Sequence, residues 1–460
     1  MTESSSLPTN AVPSRPKLAP GPSSLGVLNM GVGFIRDPFA VLNGASAQYG
    51  PIVRFQVGKK CVHLIHDPDM VQRVLLDNNT NYNKSSPYGF IKLLFGKGLL
   101  FNEGKSWFAQ RRLLQPIFMP KHFSGMAEGI GAAIAENVAT WPRVAGGEKT
   151  DIEQEMAHLA RRIVGEFLFG ENLSDDVNKI AESGSDGSKS GFLLGNIPGT
   201  PHNLKFKSEM AKLDKAVYDI IATRRALPAE DDSANDLLSA MMRAVDKSTG
   251  EKMDDLQLRD EIVTLLFSGF DTTSRTLSWG FHALSKNPHV EAKLHEELDR
   301  VLGGRMPTYD DLPKLVYTDM FIKETMRVFP PNAIIGRQAK EDDVIGGYHI
   351  PAGSLLTISP YLAQRDPKYW DQPEVFDPER WAPDKEAPGR FNYFPFGGGP
   401  RQCIGKGLAM MTLPFAVATI AQQFRWSEIP EFPVGHDMKL TFQSKRGIWA
   451  MRHTRGVLAA

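Results

Sequence analysis

The chain has 460 residues, 53 Lys+Arg balanced by 53 Asp+Glu, and a 42% hydrophobic composition, which is ordinary for a folded globular protein. Zero net charge argues against nucleic-acid binding through bulk electrostatics, because such proteins are as a rule strongly basic. Two cysteines, Cys61 and Cys403, cannot build a disulfide framework, so an intracellular chain is expected and each cysteine needs its own explanation.

The first 24 residues are rich in Ser and Pro and carry no apolar signal-peptide core. No run approaches the roughly 20 apolar residues of a spanning helix. A disordered tail over 1–25, a single domain over 26–460, no membrane span and a cytoplasmic location are therefore expected. Ile52 to Val57 and Cys61 to Ile65, around Gly58-Lys59-Lys60, read as a hairpin. Residues 105–170 read as helices broken by Pro116, Pro120 and Pro142. Residues 183–202 have the Ser/Gly/Pro composition of a mobile loop. Asp254 to Ser285 is apolar around most of its circumference and reads as a buried central helix. A helix from Pro288 ends at Gly303-Gly304, and another spans Thr318 to Val328. Two short strands, Tyr348 to Ile350 and Leu355 to Ser359, come next. A Pro-punctuated loop over 365–400 leads into a last helix from Ile404 to Phe424.

No G-x-S-x-G elbow, Walker loop, post-strand G-x-G-x-x-G or C-x-x-C pair is present, which weakens hydrolase, NTPase, Rossmann and structural-zinc readings. What stands out is Phe394-Pro395-Phe396-Gly397-Gly398-Gly399-Pro400-Arg401-Gln402-Cys403-Ile404-Gly405. The glycines allow a sharp turn close to a flat ligand. Cys403 just before a helix N-terminus is favoured as a thiolate. A second feature is Glu324-Thr325-Met326-Arg327, whose two charges share a helix face, with Asp377-Pro378-Glu379-Arg380-Trp381 downstream. A third is Ser268-Gly269-Phe270-Asp271-Thr272-Thr273 inside the long helix. There a mid-helix Thr bonded to its i−4 carbonyl is the plain alternative.

In order and spacing these segments resemble the haem loop, the E-x-x-R helix, the P-E-R-F region and the oxygen-binding helix of the cytochrome P450 family. Trp381 stands in place of the final Phe, and Ser268 stands where Ala or Gly is usual. The resemblance covers residues 30–450. It implies a mainly α fold with small β-sheets around a buried haem b (iron protoporphyrin IX), with Cys403 as the metal ligand. Trp107, Arg111, Arg337, Phe396, Arg401 and Gly405 would complete the cofactor site, and Glu324, Arg327 and Arg380 a structural network. Asp271 and Thr272 would be the catalytic acid–alcohol pair. Phe90, Leu94, Phe267, Ser268, Ile334 and Phe442 would line an apolar pocket. The implied activity inserts one atom of O2 into a fatty-acid, terpenoid or steroid substrate. Electrons derived from NAD(P)H would come through a separate ferredoxin or flavodoxin and its reductase to a monomeric enzyme. Arg112, Lys121 and Lys406 are the expected docking charges. A haem-thiolate peroxygenase or isomerase, or a non-catalytic haem-binding protein, are the competing readings. Cys61 has no motif and is expected to be a small core residue.

Overall fold

A computed structural model of the chain describes residues 16–84, 95–170, 173, 200–226, 236–247, 249–439 and 441–456. Strand β1 (Lys17–Leu18) is followed by helices α1 (Ser24–Arg36) and α2 (Pro38–Tyr49). Ser23 and Asp37 cap the two helices by accepting from Gly26 and Ala40 N–H, which satisfies groups without a partner inside the helix. Residues 17–18 and 24–25, expected within the tail, thus belong to β1 and α1. Arg54 N–H donates to the Pro20 carbonyl at 2.7 Å, and a Cβ on Gly21 would collide with the Arg54 carbonyl.

The expected hairpin is β2 (Ile52–Val57) and β3 (Lys60–Ile65), turning at Gly58 with φ +58°. Cys61 on β3 is a buried core residue. Burial pushes its thiol up, against the nearby Arg54. Together with β4 (Tyr82–Lys84), β6 (Ile335–Ala339) and β9 (Leu355–Ile358) the hairpin forms a sheet of order β2-β3-β9-β6-β4. β4 and β6 run antiparallel with Lys84 directly opposite Arg337. β7 (Asp343–Ile345) and β8 (Tyr348–Ile350) pair with β1.

The helices expected over 105–170 are α4 (Gly104–Leu114), α5 (Pro120–Ala139) and α6 (Ile152–Phe169), with strand β5 (Glu148–Asp151) before α6; short α3 (Pro68–Gln72) precedes them. Residues 201–202, expected at the end of the mobile loop, instead begin a 25-residue helix, α7 (Pro201–Arg225). Its buried stripe is thin: Leu213, Val217 and Ile221, four residues apart. After α8 (Leu237–Arg243) comes the central helix α9 (Asp255–Lys286), capped by Asp254, which accepts from Gln257 N–H at 2.7 Å. α10 (Pro288–Val301), α11 (Val316–Val328), α12 (Pro360–Ala363) and α13 (Lys406–Ala421) follow, then β10 (Phe424–Glu428), β11 (His436–Met438), β12 (Phe442–Ser444) and β13 (Trp449–Thr454). β10-β13-β5 form one sheet and β11-β12 a hairpin.

One hydrophobic cluster reaches from Phe39 to Ala450 and packs α9 against α6, α11 and α13. Phe270, Trp279 and Phe281 of α9 are fully enclosed, and burying such a side chain contributes roughly 1.5–3 kcal/mol. α9 is therefore a fixed beam rather than a surface helix. Among the described residues no helix is long and apolar enough to cross a membrane.

Candidate active site

Cys403 lies two residues before Gly405, the N-cap of α13. Its own N–H donates to the Phe396 carbonyl at 2.9 Å, closing the loop. Gly399 adopts φ +67°, and a Cβ there would meet the Leu75 carbonyl, so no other residue fits that position. Burial pushes the Cys403 thiol up, against the N–H groups of Gly405 and Lys406 and the charges of Arg111 and Lys84. The side chain is nonetheless accessible. Its sulfur therefore looks onto an enclosed space rather than bulk solvent.

Cations crowd the same region. Arg401 stacks 4.1 Å over the Trp107 ring, donates to the Asn102 carbonyl at 2.9 Å and pairs with Glu103. Arg111 donates to the Gln402 carbonyl at 3.0 Å. Arg337 is buried, and its Nη1 donates to the Gly336 carbonyl at 2.9 Å. Burial, then Arg401, brings Arg337 down to about 10. Lys84, which the motifs did not flag, sits opposite Arg337 and donates to the Leu100 carbonyl. Burial, then Arg337 and Arg401, pulls it down to about 7. Glu103 is the carboxylate facing this set, accepting from Lys84 N–H at 2.8 Å. Like charges directly opposite in an antiparallel pair are unfavourable, so Lys84 and Arg337 make physical sense as a receptor for an anion.

Glu324 of α11 is fully enclosed and accepts five hydrogen bonds. They come from Arg327 Nε and Nη2 (both 2.8 Å), Asp377 N–H (2.9 Å), Trp381 Nε1 (3.0 Å) and Arg380 Nε (3.3 Å). Arg327 also donates to the carbonyls of Gln364, Pro373 and Val375. Gln364, missed in the sequence, completes the link: it donates to the carbonyls of Met326 and Arg327 and accepts from Phe394 N–H at 3.2 Å. The α11 pair is thereby tied to the start of the Cys403 loop.

On α9 the hydroxyls of Ser268, Thr272 and Thr276 recur every four residues. Each donates to the carbonyl four positions back, at 2.5, 2.8 and 2.9 Å. The Ser268 proton is thus directed into its own helix. Thr272 has its donor engaged and its lone pairs free to accept. Asp271 accepts from Thr441 Oγ1 at 2.8 Å and lies 3.3 Å from Arg275. Arg275 pairs with Glu153 at 2.7 Å, and Glu153 accepts from Ser444 Oγ at 2.5 Å. This closed ring joins α9, the start of α6 and the β12 hairpin. None of Glu153, Arg275, Thr441 and Ser444 was singled out from the sequence, because their contact is wholly non-local.

The chain matches the family model for Cytochrome P450 over residues 20–449. It belongs to the cytochrome P450 family. This P450 is 33% identical over 406 residues to cyclooctatin synthase of Streptomyces melanosporofaciens, covering 86% of this chain and 87% of that protein. It is 31% identical over 433 residues to cyclooctat-9-en-7-ol 5-monooxygenase of the same organism, covering 92% of each. It is 30% identical over 422 residues to pentalenene oxygenase of Streptomyces avermitilis, covering 90% of this chain and 92% of that protein. The P450 is accordingly a monooxygenase, and its family implies haem.

The residues present fit that group. Among the described residues no three His, Cys, Asp or Glu side chains gather to hold an ion, whereas a metal within a macrocycle needs one accessible thiolate such as Cys403. The surplus cations around Glu103 suit two propionates. Of the expected lining residues, Phe267 stacks edge-on to Phe95 at 5.7 Å, and Ile334 packs half-buried on the core. Phe442 is a correction: it is fully enclosed by Phe39, Trp279, Phe329, Tyr361 and His436, a core position with no face left for a substrate. Phe90 and Leu94 lie outside the described residues. Of the expected docking charges, Lys121 and Lys406 are exposed, while Arg112 is already paired with Asp246. Beside it Phe108, Arg111, Arg112, Gln115 and Pro116 line an open hollow of about 470 Å³.

Proposed function

We propose that this P450 oxygenates an apolar cyclic terpenoid, with Cys403 as the protein's metal ligand and electrons delivered by a ferredoxin-type partner. The observation that carries the reading is the Cys403 loop itself: an enclosed, accessible sulfur beside a helix N-terminus, ringed by Lys84, Arg111, Arg337 and Arg401. When bound, the haem supplies dioxygen activation and C–H oxygenation. The chain's own residues then have distinct tasks. Arg337, Arg401 and Lys84 hold the propionates. Gly405 and Lys406 N–H steady the sulfur. Phe267, packed edge-on against the buried Phe95, is the aromatic side chain offered to the ligand, and it favours an apolar one. Asp271 carries a proton at the carboxylate held by Thr441, and Thr272 accepts a hydrogen bond from the water that receives it.

The names of the relatives support a terpenoid over a fatty acid. The hollow at Phe108, with Arg111 in its lining, and the exposed Lys121 and Lys406 suit an acidic redox protein; rim charges of this kind chiefly set on-rate and salt dependence. Two measurements test the proposal. The reduced, carbon-monoxide-bound spectrum should carry the thiolate signature and lose it in Cys403→Ala; retention of the signature in that variant defeats the ligand assignment. A panel of cyclic terpenoids and fatty acids should shift the haem spectrum of the resting enzyme for the terpenoids only. A fatty acid that binds and is turned over in preference removes the substrate assignment.

A further inference from the structure

Helix α1 is built inside out. The face that packs on the protein carries Gly26, Val27, Met30 and Gly33, all partly buried. Gly33 is there for closeness, since a Cβ would come 3.0 Å from Val41 Cγ2. The face turned outward carries the large apolar side chains: Leu25 is 70% exposed, Leu28 69%, Val32 55% and Ile35 65%. Leu18 on β1 is also exposed. A surface helix ordinarily turns its apolar stripe to the core and its polar residues to water. Here none of the 13 helical residues is fully buried, and Arg36 is the helix's one charged residue. Singly exposed leucines need no explanation, but a continuous stripe marks an interaction site.

The charges around the stripe decide what covers it. From Lys17 to Arg36 there is no carboxylate. At the far end Lys445 Nζ donates to the Arg36 carbonyl at 3.4 Å, with Arg446 beside it in sequence. The first acid, Asp37, is engaged as the cap of α2. The Arg36 end of the stripe is therefore basic, and the stripe holds no acid to meet the cations of a second copy. A surface with apolar depth and negative headgroups meets both features, because an interfacial helix gains from buried apolar area and from attraction to anionic lipid together.

We propose that α1 is a peripheral membrane-docking helix that lays Leu25, Leu28, Val32 and Ile35 into the surface of an anionic lipid bilayer, with Arg36 and Lys445 at the headgroups. This goes beyond the oxygenase reading and stands or falls separately from it. The test is sedimentation of the full-length holoenzyme with unilamellar vesicles of phosphatidylcholine and phosphatidylglycerol, three to one, or of phosphatidylcholine alone. The wild type should sediment with the anionic vesicles, less so at high salt. Leu25→Ser/Leu28→Ser/Ile35→Ser should lower partitioning at least about tenfold while keeping its haem spectrum, since all three side chains face out. Lys445→Glu should weaken binding to anionic vesicles and leave binding to phosphatidylcholine unchanged. Wild type that remains in the supernatant with anionic vesicles overturns the proposal. So does a wild-type dimer by light scattering that the triple variant splits, with no vesicle binding, because the face then belongs to a second copy.

Discussion

Glu324→Ala tests how the haem loop is held. The carboxylate has no exposed surface and five donors converge on it. Truncation leaves the Arg327 guanidinium equally enclosed, still bonded to three carbonyls but without a counter-charge. Breaking a buried pair by removing one partner typically costs about 3–5 kcal/mol. Two further groups, Asp377 N–H and Trp381 Nε1, lose their acceptor, each a penalty of roughly 1–3 kcal/mol if water cannot reach it. A whole domain is stable by only about 5–15 kcal/mol, so the variant should approach the unfolding threshold. Because Gln364 links α11 to Phe394, the first readout to fail should be haem content rather than helicity. Glu324→Gln keeps the shape and one acceptor but turns an amide N–H2 toward the guanidinium, and should fall between the two. The assay is the haem-to-protein ratio after purification, with thermal unfolding followed by circular dichroism. A Glu324→Ala protein with full haem and an unchanged midpoint would refute the reasoning.

Three more outcomes are expected. Glu261 has one oxygen accepting from Leu99 N–H at 2.9 Å and the other without a partner among the described residues, and burial raises its carboxyl to about 8. The folded state then holds more protons than the unfolded one between about pH 4.5 and 8, so stability is lost as pH rises through that window. Glu261→Gln should match wild type near pH 4.5 and exceed it at pH 7 by up to about 3 kcal/mol, and an equal difference at both pH values in denaturant melts would rule the linkage out. Thr441→Val frees one oxygen of Asp271; product formation should fall by about tenfold at most, with more reductant lost to peroxide and haem content unchanged, and unaltered coupling would show that Thr441 does not position the acid. Lys84→Met removes one cation from the anion receptor and should speed haem transfer to an acceptor protein by roughly tenfold, the worth of about one charge-assisted hydrogen bond; an unchanged transfer rate would take Lys84 out of the site.

Much of this site could be read from the chain because its parts are local. The loop from Phe394 to Gly405 and the Glu324–Arg327 pair are each held within one turn or one helix, so spacing alone places them on one face. The long helix announced itself by apolar residues all round, and it runs from Asp255 to Lys286. What could not be read depends on partners distant in sequence. Lys84 matters because β4 lies against β6, some 250 residues later. The family resemblance puts Phe442 in the pocket, yet the β11–β12 hairpin delivers it into an aromatic cluster. α7 escaped because few of its described residues are fully buried: Leu213, Val217 and Ile221 carry its apolar contact, flanked by the partly buried Met210, Ala216 and Ile220. α1 escaped for the opposite reason, since its pattern faces the wrong way for a helix that packs by its apolar side.

The non-local contacts also settle what moves with what. Asp271 sits on the buried helix α9, but its carboxylate is held from outside that helix by Thr441 and, through Arg275 and Glu153, by Ser444. Thr441 and Ser444 flank Phe442, which is locked among five rings. Rotation of the acid therefore requires the ring of hydrogen bonds to open while the hairpin stays put. Arg275 is the member that can permit it: its Nε has no partner among the described residues, and it bridges two carboxylates that would otherwise repel. A carboxylate fixed in this way can pass protons repeatedly without drifting into the pocket, at the expense of the freedom to reach far from the helix. Proton supply should accordingly run through waters beside Thr272 and the Asp271–Thr441 contact, not through a swing of the Asp271 side chain.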